Sequence, residues 1–437
     1  MRSQATARSA AGTLAADPSR PRRPSADSPR RSPEPARRHL LQLIETGGPG
    51  GAERVVVSLA ARLARDPQWK STVGLLKEGW LKTELGRQQI ETCLFQLRRP
   101  IDPRLVLALT RHLRQARVGV VHAHEFTMTV YGAAAGGLAR VPVVATVHGR
   151  GYFATARRRV FALWLAARQG ATMVAVSKDI QDFLVRLGLG HVRLIPNGID
   201  VERAAGGDRA RGRAAMGLSG DVPLVGTVGN LYPVKGHQVL LSAAARLDRR
   251  VHIAIAGRGG EEAALKRQAG ELGLGDRLHL LGYREDVPDL LAAFDIYALP
   301  SFSEGQSLAL IEAMAAGLPV AATAVGGNPE VMGEKEGKGE RGEGPAGLLV
   351  PPGDPEALGA ALARLLADRP GARELGERAR ARARGEFSLE VMLGRYRALY
   401  AERLGQGTTD PGGEPRRAAP SRGEPRRDQP SRGEPRR

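Results

Sequence analysis

The chain has a single cysteine, Cys93, in 437 residues, so an internal disulfide and any multi-cysteine metal site are excluded. Aromatic side chains are scarce at 4% against a hydrophobic content of 42%, so a core must be assembled from Leu, Val, Ile and Ala. No apolar run approaches the roughly 20 residues that cross a bilayer. The longest, Val160–Ala167 and Val222–Val228, are bounded or broken by Arg, Gly or Pro. The first residues also lack the apolar stretch of about 7–15 residues that a secretory signal carries. The expectation is a cytoplasmic protein, without a metal or other cofactor, that could associate with the inner face of a membrane.

What is abundant is positive charge. Of the net +19, residues 1–38 hold nine Arg against three acids and residues 405–437 hold eight Arg against five, which leaves +10 for the middle. Such an excess draws a protein toward anionic lipid, nucleic acid or a phosphorylated substrate, while a merely solvated Arg-rich surface is the plain alternative. Residues 1–38 are too poor in apolar side chains to fold alone and read as a disordered basic tail. Residues 405–437 repeat Gly-Glu-Pro-Arg-Arg three times with a ten-residue period, which reads as a second disordered tail.

Between the tails, short apolar or β-branched runs alternate with amphipathic stretches. Strands are expected at 40–44, 72–76, 118–122, 143–147 and 173–176, with helices such as 51–65, 103–116 and 178–187 between them. A second series has strands at 224–228, 251–256, 278–281, 295–299 and 319–323, with helices at 236–247, 260–272 and 306–316. This is the pattern of an α/β protein with two doubly wound parallel sheets, which place ligands at strand ends across a shared cleft. Residues 39–200 form the first Rossmann-like domain and 201–387 the second. Residues 388–404 form a C-terminal helix, and the polar low-complexity stretch 333–346 is a surface insertion.

Several groups are candidates for chemistry. Thr46–Gly51 (TGGPGG) follows the first strand and opens a helix, so Gly50 and Gly51 allow backbone amides to approach an anion. It is not a Walker-type loop, because no Gly-Lys-Ser/Thr follows. In the second domain Lys235 stands where a helix begins, which opposes the helix dipole but suits a diphosphate. His124 and His148 sit near strand ends, with no carboxylate cluster of metal-ligand spacing beside them. Glu304 and Glu312 flank a small and apolar run. Were that run helical throughout, eight residues would advance about 12 Å and turn roughly 80° beyond two turns, so the two acids would grip separate parts of an extended ligand. A polar residue before a helix and an exposed Glu within it is the simpler alternative.

Taken in order, Gly50–Arg54 (GGAER), Ile195–Asp200 (IPNGID), Pro233–Gly236 (PVKG), Glu304 through Pro319 and Gly347–Asp354 (GLLVPPGD) resemble the retaining glycosyltransferases of family 4, with the GT-B fold. The resemblance covers about residues 40–403. It implies a nucleotide-diphosphate-sugar donor held by the second domain and an acceptor on the side of the first. By the same resemblance, Glu304 contacts the donor sugar near the reacting carbon and Glu312 holds the ribose hydroxyls. Lys235 neutralises the diphosphate and His148 lies near the donor sugar, with His124 a further substrate-binding candidate. Gly50, Gly51, Gly326 and Gly327 belong to cleft loops, and the C-terminal helix crosses back to the first domain. An arginine that often precedes the lysine is replaced by Asn230 and Tyr232, with Arg258 a candidate substitute. Where the family often has Gly-Phe-Gly, this chain has Gly305-Gln306-Ser307, and Ser307 is placed to cap the next helix and meet the ligand.

The expected partners are a nucleotide sugar and an acceptor that includes lipid-linked glycan among its possibilities; Arg157–Arg159 could meet anionic membrane or an anionic acceptor, with ordinary solvated helix charge the favoured reading, and no specific nucleic acid is expected. Cell-envelope glycan synthesis is the implied setting, with the leaving phosphate taking the acceptor's proton. The rival readings are a nucleotide-sugar epimerase of the same fold, a nucleic-acid binder acting through basic tails, and a two-carboxylate glycosidase that would leave Lys235 without a role.

Overall fold

The computed structural model describes residues 37–150, 156–219, 222–333 and 344–405. Residues 1–36 and 406–437 of the expected tails and the core of the 333–346 insertion lie outside the described residues, while Arg38, assigned to the tail, begins the first strand.

Two parallel sheets organise the chain. The first contains β1 (Arg38–Ile44), β2 (Trp69–Leu75), β3 (Glu91–Leu94), β4 (Val120–His124), β5 (Val143–Val147), β6 (Thr172–Ala175) and β7 (Val192–Leu194), in the order β3-β2-β1-β4-β5-β6-β7. The second contains β8 (Leu224–Val228), β9 (His252–Ala256), β10 (Leu278–Leu280), β11 (Ile296–Leu299), β12 (Val320–Thr323) and β13 (Leu348–Val350), in the order β10-β9-β8-β11-β12-β13. In each sheet the order reverses beside its first strand, between β1 and β4 and between β8 and β11. Such a switch point opens a crevice at the carboxyl ends of the strands. Helices cover both faces, so central strands read as near-continuous apolar runs: Leu40, Leu41, Leu43 and Ile44 are wholly buried. The buried polar exceptions in β1 are His39 and Gln42.

Side-chain caps set several helix starts. Asp102, Ser177, Asp200, Ser307, Asp354 and Ser388 each accept from a backbone amide in the first turn. The cap at Ser307 agrees with the expected one and sets aside the supposition that 304–312 is helical throughout. The helix runs over Leu308–Ala315, so Glu304 stands in the preceding loop and helical arithmetic across 304–312 does not apply. The fourth strand is likewise displaced, from the expected 118–122 to Val120–His124. Arg117 adopts a left-handed turn at φ 50°, which delays the extended segment and carries both histidines into the sheet.

The C-terminal helix Leu389–Arg403 packs on the first sheet, although Arg369–Glu386 before it packs on the second. Leu389, Met392, Tyr396 and Tyr400 join Leu40, Leu59, Val120 and Val174 in one apolar cluster. The scarce aromatics concentrate here, with Tyr400 5.6 Å from Trp69 between ring centres. At the crossing, the Ile199 amide donates to Phe387 O (2.9 Å) and the Leu389 amide to Ile199 O (2.7 Å). A Cβ on Gly198 would collide with the Ser388 carbonyl. Gly198→Ala should therefore cost about 1–3 kcal/mol in chemical denaturation, the usual penalty for overpacking. Gly86→Ala, on an open helical surface, should instead gain up to about 1 kcal/mol.

Candidate active site

The two switch points face a common cleft of about 300 Å³, lined from the first domain by Gly50, Gly51, Arg54, His148 and Asn197. From the second come Lys235, Tyr283, Arg284, Glu304 through Ala309 and Glu312. Residues far apart in sequence are brought together because each follows the carboxyl end of a strand.

Glu304 is the most enclosed acid of this set, its side chain 8% exposed. Its Oε1 accepts from Lys235 Nζ at 2.7 Å and from Ser301 Oγ at 2.6 Å. Oε2 accepts from no described residue. The loop is held from behind: a Cβ on Gly326 would collide with the Glu304 carbonyl, and one on Gly327 with that of Gly305. Gly326 also takes a left-handed conformation, at φ 54°. These two glycines do not line the cleft; they permit the loop that does. Gly305 in turn passes so close to the His148 carbonyl that a side chain would not fit, which sets Glu304 beside the first domain.

Lys235 ends a 3₁₀ turn, Pro233–Lys235, and Gly236 at φ 65° separates it from the helix His237–Ala244. Its ammonium thus stands before a helix N-terminus, and Glu304 offsets the unfavourable dipole in the absence of an anion. Glu312, one turn inside its helix, lies 3.8 Å from Arg54 of the opposite domain. Burial raises its carboxyl above the ordinary value, while the charges of Arg54 and Arg203 oppose that shift. Across the cleft, Gly50 and Gly51 begin the helix Gly51–Ala64. The Glu53 carboxylate folds back over Gly50, so a Cβ there would have to displace it. Ser307 caps its helix through Leu310 N at 3.3 Å and lines the cleft.

Two candidates are placed elsewhere. Arg258 is exposed and does not line the cleft; its guanidinium lies 5.4 Å from the ring centre of Tyr283. The cleft-lining arginines are Arg54 and Arg284, the latter bonded to Asp286. His124 is wholly buried and lies behind His148, because β4 extends to include it.

The histidines form a directed chain. His124 Nδ1 and His148 Nε2 are 3.0 Å apart, and His124 Nε2 is 3.3 Å from Gln42 Oε1. The other end of the Gln42 amide faces the Val56 carbonyl, which only accepts, so Nε2 of Gln42 points there and Oε1 toward His124. His124 must then carry its proton on Nε2 and accept at Nδ1 from His148 Nε2–H. The Nδ1 of His148 is left as an acceptor. Beside this chain, His122 bonds Thr146 and the Tyr400 hydroxyl, both at 2.7 Å, and Thr146 bonds Tyr396 at 2.9 Å. Burial lowers His122 to about 3 and His148 to about 4, and holds His124 well below its ordinary value.

Sequence reading attached no role to Arg54, Tyr283, Arg284, Asn197 or Gln306, all of which line the cleft. Arg54 was visible inside the GGAER motif, Asn197 inside IPNGID and Gln306 in the Gly305-Gln306-Ser307 stretch; Tyr283 and Arg284 carry no local signal. Asn197 Oδ1 is buried without a hydrogen-bond partner, and the Asn197 amide donates to Gln306 Oε1 across the domains.

Nitrogen NMR of histidine-labelled protein should show His148 as the Nε2–H tautomer, neutral to about pH 4. Gln42→Leu should mix its tautomers. The unfolded chain takes up protons below about pH 6.5 that these rings refuse, so stability should fall as pH drops from there toward 4. Equal stability at pH 7 and 5 would contradict the buried neutral network.

Comparison with known proteins supports the architecture. Residues 49–203 match the family described as Glycosyltransferase Family 4, and residues 208–382 that described as Glycosyl transferases group 1. The chain is 34% identical over 303 residues to the D-inositol 3-phosphate glycosyltransferase of Nocardia farcinica, covering 65% of this chain and 62% of the relative. It is 30% identical over 332 residues to the enzyme of that name from Corynebacterium glutamicum, covering 70% and 77%. It is also 30% identical over 246 residues to the Escherichia coli UDP-Gal:alpha-D-GlcNAc-diphosphoundecaprenol alpha-1,3-galactosyltransferase, covering 52% and 63%. The matches therefore span less than two thirds of the Nocardia and Escherichia relatives. Anabaena HepE in complex with UDP-glucose superposes with a TM-score of 0.72 at 26% identity, covering 84% of this chain and 99% of HepE. The two matched halves, the paired sheets and the cleft between them place this chain in the family 4 glycosyltransferases, with the GT-B fold.

Proposed function

We propose that the protein transfers a sugar from a nucleotide-diphosphate donor to an acceptor hydroxyl with retention of anomeric configuration. The observation that carries this reading is the arrangement around Glu304. A carboxylate held by Lys235 and Ser301 lines the cleft together with Glu312, and Gly50 and Gly51 line it from the first domain. The sugar then lies against Glu304 and His148, the diphosphate against Lys235, and the ribose hydroxyls against Glu312. Lys235, Arg54 and Arg284 supply positive charge that grows in value as the diphosphate departs, so the reaction is metal-independent in this reading. Similarity to HepE in complex with UDP-glucose supports a UDP-sugar. Similarity to the Escherichia galactosyltransferase supports a setting in cell-envelope glycan or glycolipid synthesis.

The reading is tested by a thermal-shift screen of nucleotide sugars, since a ligand bound only by the folded state raises apparent stability. NMR of the product then reads the anomeric configuration. Glu304→Gln should lower kcat by about 10²-fold or more with little change in donor KM, while Glu312→Ala should mainly raise donor KM. Negligible effects of both changes would remove these acids from the site, and epimerised free sugar without transfer would replace the reading with the epimerase.

A cytoplasmic location at the membrane surface is part of the proposal. No helix among the described residues is long and apolar enough to cross a membrane. However, the helix Arg157–Arg168 exposes Arg157, Arg158, Phe161, Leu165 and Arg168 along one side. Phe161 is 62% exposed. An apolar strip with flanking arginines suits an anionic bilayer surface. Vesicles containing phosphatidylglycerol should sediment the protein at low salt, and Arg158→Glu should weaken binding about fivefold or more. Indifference to both lipid charge and Phe161→Ser would place the helix in solvent.

A further inference from the structure

Gln42 is wholly buried in the middle of β1, among leucines, yet it begins a chain of contacts that reaches the cleft. From its Oε1 the chain runs through His124 to His148, over distances of 3.3 and 3.0 Å. Of these three residues, His148 alone lines the cleft. The same ring lines a second recess, of about 460 Å³, which holds Glu45, Lys77 and Glu125.

The chain has one direction. The Val56 carbonyl only accepts, so it turns the Gln42 amide to present Oε1 to His124, and that oxygen calls for a proton on His124 Nε2. A neutral imidazole carries a single N–H, so His124 Nδ1 accepts and His148 Nε2 donates to it. The proton of His148 is thereby committed, and its Nδ1, which bonds no described residue, is a bare acceptor. Glu304 is similarly placed: Oε1 is taken by Lys235 and Ser301, and Oε2 accepts from no described residue. Both groups assigned above to the sugar are thus proton acceptors. The cations of the cleft are engaged elsewhere, Lys235 by Glu304, Arg284 by Asp286 and Arg54 beside Glu312. Gln306 offers an N–H but no charge, its Oε1 being held by the Asn197 amide.

We propose that Gln42 is a positioning residue which, through His124, fixes His148 as a hydrogen-bond acceptor and so restricts the donor to neutral sugars with a hydroxyl at that place, to the exclusion of uronic acids. This rests on the glycosyl-transfer reading above, which sets the sugar against Glu304 and His148. A hydroxyl donates to the Nδ1 lone pair. A carboxylate brings no proton to either acceptor and adds its own charge to that of Glu304. Burial keeps the His148 ring neutral down to about pH 4, so it has no second N–H with which to meet an anion. The neighbouring recess offers no relief, since Glu45 and Glu125 there outnumber Lys77. A site built to bond a hydroxyl rejects a group that cannot donate, because its own polar atoms are then left unpaired.

The test titrates the full chain by calorimetry with UDP, with UDP-glucose against UDP-glucuronate, and with UDP-galactose against UDP-galacturonate. Should the thermal-shift screen select another base, the same pairs are built on that nucleotide. Each uronate is expected to bind about tenfold or more weakly than its neutral partner. A uronate bound as well as its neutral partner would overturn the assignment. Gln42→Leu should narrow the ratio to about threefold or less by weakening the neutral sugar. The Kd for UDP, which lacks the transferred sugar, should stay unchanged. An unchanged ratio in this variant would overturn the role of Gln42. Where Gln42→Leu does not fold, nitrogen NMR of the wild type decides. An upfield move of His148 Nδ1 with a neutral donor, and not with UDP, is the accepted hydrogen bond; no such move, or a protonated Nδ1, rejects the proposal. Failure of the wild type to bind UDP or any nucleotide sugar is a separate result, which removes the transferase reading and this inference with it.

Discussion

The crossing at Gly198 is the constraint from which the rest of the molecule follows. There the segment joining the two sheets pairs with the segment that returns, through the amides of Ile199 and Leu389. Each contact is an ordinary backbone hydrogen bond, but both require an approach that no side chain at position 198 would allow. Because the returning helix then buries Tyr396 and Tyr400 on the first sheet, both connections leave and re-enter the same domain at one place. The loops after β1, β5, β8 and β11 are consequently held face to face, which is what turns two switch points into one cleft.

Within that cleft, opposite charges from different domains occupy places that a ligand would take over. Lys235 holds Glu304, and Arg54 lies beside Glu312. A partly buried carboxylate with no counter-ion is costly, and these pairings offset that cost. A diphosphate can substitute for the carboxylate at Lys235, and ribose hydroxyls can bond Glu312. The same economy of charge governs the histidines. His122 and His124 are wholly buried with their rings in contact, and His124 bonds and stacks on His148 at the edge of the cleft, so burial favours neutral rings over imidazolium. Gln42, a wholly buried polar residue among the leucines of β1, has its explanation there.

His148 also separates two recesses of contrasting character. The cleft presents Lys235, Arg54 and Arg284 to a polyanion, whereas the cavity behind presents Glu45 and Glu125 with Lys77.

The sequence by itself determined the architecture and much of the donor side. Alternating apolar runs and amphipathic stretches dictate parallel sheets covered by helices, and each motif lies where a strand ends. Gly50, Gly51, Lys235, Glu304, Ser307 and Glu312 were legible because their spacing and order are local facts, and all line the cleft. Tertiary structure alone decided what depends on distance between segments. It moved β4 two residues onward and thereby took His124 out of reach of a ligand, and it left Arg258 beside Tyr283 at the surface. It also supplied Arg54, Arg284 and Asn197, and gave Gly326 and Gly327 the task of admitting the Glu304 loop. Periodicity reports which face of an element is buried, but which polar groups meet in that burial is set by how the elements pack.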